Sequence, residues 1–188
     1  MRIDTPTPKG TRHGYVSEPL SRAALCKRDQ MGGAIAYEPQ SVEAPKGFPA
    51  AGPPDGMLAS GGHAAFAALD GLKDPMGREW EATTLVAGSI VQWDWWLTAP
   101  HKTSRFEYFI TRDGWDPQQP LTRAQFDPVP VISVEWDGSI PVQAVSHWGK
   151  VPAHKSGRHV IYGVWTIDDT EMAFYQAIDV NITGRSDG

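Results

Sequence analysis

An all-β fold, an antiparallel β-sandwich of short strands, is the class this sequence predicts, on three observations. Apolar and polar residues alternate with a period of two through the second half of the chain, the period of side chains on a pleated strand. Helix-like periodicity is weak throughout. Nineteen Gly and 16 Pro punctuate the alternating segments, as turns between closely spaced strands require.

Taken in chain order, Met1 to Arg12 is polar and reads as a flexible leader, domain 13–183 follows, and 184–188 reads as a tail. The run His13-Gly14-Tyr15-Val16 opens the domain. From Lys27 to Gly88 the chain is rich in Gly and Pro, too long for bare coil in a compact domain, so short helices or function are expected there. Gly62 to Leu69 is its best helix candidate. Val91, Trp93, Trp95 and Leu97 then share one face of a strand, with Gln92, Asp94, Trp96 and Thr98 on the other. Phe106, Tyr108 and Ile110 mark another strand, bounded by Asp113-Gly114. His159 to Ile167 is nearly all apolar or aromatic, as in a strand buried on both faces. A last strand alternates Phe174, Gln176, Ile178 and Val180 with Tyr175, Ala177, Asp179 and Asn181.

Composition narrows the functions open to this fold. Hydrophobic residues make up 40% and charged residues 21%, a globular balance. With a net charge of -5 and no lysine or arginine run, nothing would displace counterions from phosphates, so no nucleic-acid partner is expected. An uncharged polymer remains open. No segment approaches the ~20 apolar residues that span a bilayer, so no membrane role is expected. Met1 to Arg12 lacks the apolar stretch of a secretory signal. The single cysteine, Cys26, has no internal partner for a disulfide.

Two histidines sit where chemistry is plausible. His101 follows Leu97-Thr98-Ala99-Pro100 at the end of the Trp-rich strand, a sandwich rim. His13 would offer a ring nitrogen and, were the chain cut after Arg12, an α-amine that a metal readily deprotonates. His147, His154 and His159 lack zinc-like spacing and are expected to be structural or exposed. Asp168-Asp169 and Asp70 with Asp74 could imitate a glycosidase's paired acids, but nothing fixes their separation.

Several segments together resemble a known family. They are His13-Gly14-Tyr15-Val16 with Glu18-Pro19 and Ser21-Arg22, then Tyr37-Glu38-Pro39-Gln40-Ser41-Val42-Glu43. Lys46-Gly47-Phe48-Pro49, Ala51-Gly52-Pro53, Thr98-Ala99-Pro100-His101 and Gln119-Pro120-Leu121-Thr122-Arg123 follow. The set ends with Ser156-Gly157-Arg158-His159-Val160-Ile161, Val164-Trp165 and the stretch from Ala173 to Asn181. In this order they resemble the bacterial and viral lytic polysaccharide monooxygenases of the type-4 chitin-binding class, auxiliary activity family 10.

The resemblance implies an immunoglobulin- or fibronectin-III-like sandwich with a long early loop region. It implies one copper ion in a histidine brace, His13 giving ring and α-amine and His101 its ring. Phe174 and the small Ala99 would border the axial positions, Trp165 would lie beneath, and Glu43 would position oxygen species. Tyr37, Glu38, Pro39, Glu43, His101 and Asp169 would form a flat substrate face. The implied activity is oxidative cleavage of crystalline chitin, with cellulose second, using an external electron donor and O₂ or H₂O₂. A non-catalytic chitin-binding role on the same face is the alternative if residues 1–12 are retained. The resemblance further implies an extracellular monomer. It departs from the family's pattern in the residues before His13 and in the single Cys26 where cysteine pairs are common.

Overall fold

The computed structural model describes residues 13–184, and within them each alternating segment becomes a strand. The expected leader and all of the expected tail beyond Gly184 lie outside these residues. In order the elements are β1 (His13–Glu18), α1 (Arg22–Asp29), β2 (Glu43–Pro45), β3 (Thr83–Val86), β4 (Ile90–Ala99) and β5 (Thr103–Ile110). β6 (Ile132–Glu135), β7 (Ala144–Lys150), β8 (Gly157–Ile167) and β9 (Met172–Thr183) complete them. One sheet runs β1-β4-β7; the other runs β2-β9-β8-β5-β6, with β3 added to β9. Pairing is antiparallel except for β3, which lies parallel to β9.

The alternation in β4 explains how the sheets meet. Trp93, Trp95 and Leu97 are buried between the layers, while Trp96 faces solvent. Trp95 packs at 6.2 Å on Trp165 of β8 and at 5.9 Å on Phe106 of β5, so one tryptophan stitches the two sheets. β8 and β9 are buried on both faces: one packs against β4, the other against α1 and the long early region. That double burial is why their sequences run almost continuously apolar.

The early region departs from expectation in two places. The candidate helix at Gly62 to Leu69 forms a 3₁₀ turn, Ala64–Asp70, rather than an α-helix. The one α-helix among the described residues is α1, which the periodicity did not reveal. Ser21 caps it by accepting from the Ala24 N–H at 3.1 Å, and Gln30 ends it in the left-handed conformation. Its buried face includes Arg22, whose guanidinium pairs with Asp179 of β9 at 2.7 Å. A charged residue on the inward face erases the apolar stripe that marks an amphipathic helix. Cys26, also inward, is a free thiol that burial pushes up to about 11, which keeps it unreactive near neutral pH.

Of His147, His154 and His159, two are structural and His154 is exposed. His159 is buried, with Thr111 Oγ1 at 2.7 Å from its Nδ1. His147 is buried against Phe106, and the Tyr108 hydroxyl lies 2.7 Å from its Nδ1. Burial pushes the His147 pKa down from 6.5 to about 4, and that of His159 down as well. The unfolded chain therefore binds more protons between these two values, and stability falls as pH drops through that window. Denaturant titrations at pH 7 and 4.5 should show a loss of about 2 kcal/mol from His147. H147F should flatten the slope by that amount; an unchanged slope would refute the assignment.

Candidate metal centre

β1 and β4 set the first histidine in place. His13 opens β1 and pairs in register with Ala99, the last residue of β4. The Gly14 N–H donates to the Gln40 carbonyl at 3.1 Å. A Cβ on Gly14 would meet Leu97 Cδ2 at 2.7 Å and the Trp165 ring at 3.0 Å, so only glycine lets β1 lie this close.

The second histidine belongs to a crossing between the sheets. β4 ends at Ala99 in one sheet and β5 begins at Thr103 in the other, so Pro100-His101-Lys102 spans the end of the sandwich. Cross-strand partners stand about 5 Å apart; His101 is thus two residues beyond the residue that faces His13. Three contacts fix the crossing. Thr103 Oγ1 donates to the His101 carbonyl at 2.8 Å, the Asp168 N–H donates to the Lys102 carbonyl at 2.9 Å, and Ser104 Oγ donates to Asp168 at 2.9 Å. Asp169 Oδ1 lies 3.0 Å from His101 Nδ1 but out of line for a hydrogen bond, so that buried nitrogen has charge beside it and no hydrogen-bond partner.

Beneath the histidines the structure is apolar. Phe174 is fully buried, its ring 6.1 Å from that of His13 in an edge-on arrangement. Trp165, also fully buried, lies 5.0 Å from Phe174 and donates its indole N–H to Thr103 Oγ1 at 2.8 Å. Glu43 of β2 is half-buried and pairs in register with Phe174. Ala99, half-buried, completes this group with a small side chain.

The residues expected on a flat face differ in exposure at the rim. Tyr37 is 77% exposed, and Glu38 and Asp169 are exposed too. Pro39, expected on the same face, is buried instead. Its carbonyl accepts from Gln176 Nε2 at 3.2 Å, and Gln176 Oε1 accepts from the Val16 N–H at 3.3 Å. Pro39 therefore anchors the turn that presents Tyr37 and Glu38 and offers no contact surface of its own. Gln176 was visible in the sequence as a polar residue within the apolar face of the last strand; its clamping of β1 to this turn was not.

Other candidates have structural partners. Asp74 accepts from the Met76 and Arg78 main chain and pairs with the Arg78 side chain at 2.8 Å. Asp70 accepts from the Ser60 N–H at 2.9 Å, and burial raises its pKa. Among the described residues no group of three or more His, Cys, Asp or Glu could hold a metal, so side chains alone offer two imidazoles. A cavity of about 230 Å³ beside Arg22, Trp80, Trp115 and Arg158 is lined by Asp70 but by none of the residues around His13 and His101. No helix among the described residues is long and apolar enough to cross a membrane.

Comparison with known proteins agrees with this architecture. A family model described as "Lytic polysaccharide mono-oxygenase, cellulose-degrading" matches residues 13–180. GlcNAc-binding protein A of Shewanella oneidensis is 41% identical over 173 residues, covering 91% of this chain and 36% of that protein. Lytic chitin monooxygenase of Enterococcus faecalis is 40% identical over 176 residues, covering 90% of this chain and 85% of that protein. The chain spans between about a third and a half of the length of the first curated relatives it matches, from 36% to 53%. Among solved structures, the AA10 monooxygenase of Streptomyces lividans superposes with a TM-score of 0.87 at 44% identity, covering 90% of this chain and 99% of that one. A Bacillus amyloliquefaciens structure described as in complex with Cu(I) after photoreduction gives 0.81 at 40% identity, covering 91% and 100%. With a family model spanning nearly all the described residues and a shared β-sandwich, the chain belongs to the auxiliary activity 10 family of lytic polysaccharide monooxygenases.

Proposed function

We propose that this chain is a copper-dependent monooxygenase that cleaves glycosidic bonds in crystalline chitin. One copper ion would be held by the rings of His13 and His101 and, in a form that begins at His13, by the α-amine. The observation that carries the reading is the junction at the end of the sandwich. There the strand opened by His13 pairs with β4 two residues before His101, beside an exposed Tyr37.

The donor set fits copper. Imidazole is among its preferred ligands in either oxidation state, and a neutral amine is a third nitrogen of the same kind. His101 Nδ1, buried without a hydrogen-bond partner next to Asp169, is costly in a purely structural histidine. The same placement suits a ring whose other nitrogen, Nε2, is the ligand, with the Asp169 charge 3.0 Å from Nδ1 offsetting the charge such a ring gains. Copper supplies one-electron chemistry that activates O₂ or H₂O₂ towards a C–H bond.

The chain's own residues supply the rest. Phe174 sets an apolar ring edge beside His13 and keeps water from that side. Ala99 leaves room, and Trp165 backs Phe174 from within the core. The Glu43 carboxylate, paired in register with Phe174, would accept a hydrogen bond that positions the oxidant. Tyr37 stacks on a pyranose ring, while Glu38 and Asp169 accept hydrogen bonds from the sugar. An open face of this kind admits a flat crystal surface that a deep pocket would exclude. Export from the cell accords with such a substrate, and the electron donor is external.

A second reading is a non-catalytic chitin-binding protein. Relatives named GlcNAc-binding protein favour it, because Tyr37 and its neighbours need no metal to bind sugar. Copper titration of the full chain and of a His13-initiated form, read by electron paramagnetic resonance, separates the two. A type-2 copper signal and oxidised chito-oligosaccharides from the His13-initiated form support the enzyme; neither appearing would sink it. Loss of chitin pull-down as well would remove the binding reading. In the same assay Y37A should weaken chitin binding about tenfold, or ~1.4 kcal/mol, without changing copper affinity.

A further inference from the structure

We infer that Thr103 is a positioning residue for the proposed metal site, its one hydroxyl fixing both the main chain at His101 and the ring of Trp165. The inference rests on the copper reading above and extends it to a residue outside the expected set. Thr103 is fully buried at the start of β5, where the chain enters the second sheet. Its Oγ1 accepts from the Trp165 indole N–H at 2.8 Å and donates to the His101 carbonyl at 2.8 Å.

The direction of both bonds is fixed by chemistry. An indole N–H only donates and a carbonyl only accepts, so the hydroxyl's single hydrogen must point to His101. The main chain of Thr103 is held as firmly: its N–H donates to Ser139 at 3.1 Å and its carbonyl accepts from Gly138 at 3.0 Å. Among the described residues, the bond from Thr103 is the one hydrogen bond made by His101, since its Nδ1 has none. The ring is thus aimed by the Asp169 carboxylate beside Nδ1 and by the path of its main chain, and Thr103 is the one residue that bonds directly to the main chain at His101. Through Trp165 the same hydroxyl reaches Phe174, which lies against His13. One buried group therefore couples the crossing that carries His101 to the apolar floor under His13.

Two substitutions separate positioning from mere packing. T103V keeps the shape, removes the hydroxyl, strands the buried Trp165 N–H and takes the donor from the His101 carbonyl. T103S keeps the hydroxyl and loses one methyl group. In the metal-free full chain, nuclear magnetic resonance should show the His101 ring and Trp165 indole signals displaced in T103V and restored in T103S. The Cu(II) dissociation constant, measured on the full chain and the His13-initiated form, should rise ten- to a hundredfold in T103V. It should stay within about twofold of the parent in T103S. If T103V lowers the melting temperature but leaves the His101 signals and copper affinity unchanged, Thr103 only packs and the inference is overturned. Should T103V fail to fold, T103C, which keeps the size but donates weakly, is read by the same two measurements. A parent protein that binds no copper in either form ends the copper reading, whereas the metal-free spectra still decide the role of Thr103.

Discussion

Replacing His101 by alanine is expected to abolish copper-dependent chitin oxidation and to weaken Cu(II) binding by at least a hundredfold, about 2.7 kcal/mol. The fold should survive. His101 lies on a three-residue crossing, it is half-buried, and its ring makes no hydrogen bond whose loss would strand a partner. Its carbonyl, which Thr103 needs, remains in the alanine variant. The change should therefore be read as a lost ligand, with a melting temperature within a few degrees of the parent. Isothermal titration with Cu(II) and product analysis on chitin check it together. Copper affinity within threefold of the parent would show that the ring is no ligand and would remove the basis of the proposed chemistry.

The largest effect on stability should come from Asp179, which has no part in the proposed copper site. Its two oxygens meet Arg22 Nε at 2.7 Å and Nη2 at 3.1 Å, and Arg158 approaches one of them at 3.5 Å. The Arg22 side chain is only 9% exposed and stands 4.9 Å over the Trp80 ring. D179A leaves that guanidinium buried with a carbonyl and an aromatic face for company. Removing one partner of such a pair costs about 3–5 kcal/mol. At roughly 2–4 °C per kcal/mol in a domain of this size, the melting temperature should fall by about 6–20 °C. Replacing both partners, as in R22M/D179L, should recover most of the loss, because an apolar pair of similar volume needs no desolvation. A loss below about 1 kcal/mol in D179A would mean that water or Asp70 compensates Arg22.

These two residues illustrate what could be read in advance. His101 announced itself through local sequence, an imidazole after a strand that alternates cleanly and stops at proline. Asp179 was read only as one member of the strand face that also holds Tyr175, Ala177 and Asn181. Only the docking of α1 turns it inward against Arg22, and no local pattern carries that contact across 157 residues. α1 was hidden for the same reason, its inward face containing the charge that Asp179 neutralises. Pro39 shows the opposite error: a residue matched to an exposed family surface became buried once Gln176 drew its carbonyl inward.

The sequence by itself determined the sandwich, its principal strands and the pair of histidines, because period-two alternation and turn residues act over a few positions and need no partner to be recognised. Tertiary structure alone decided that β1 lies on β4 with His13 opposite Ala99, that a tryptophan and a threonine brace the crossing at His101, and that Pro39 turns away from solvent. Those outcomes depend on which buried polar groups find each other, and a buried hydrogen bond is chosen by the whole packed core.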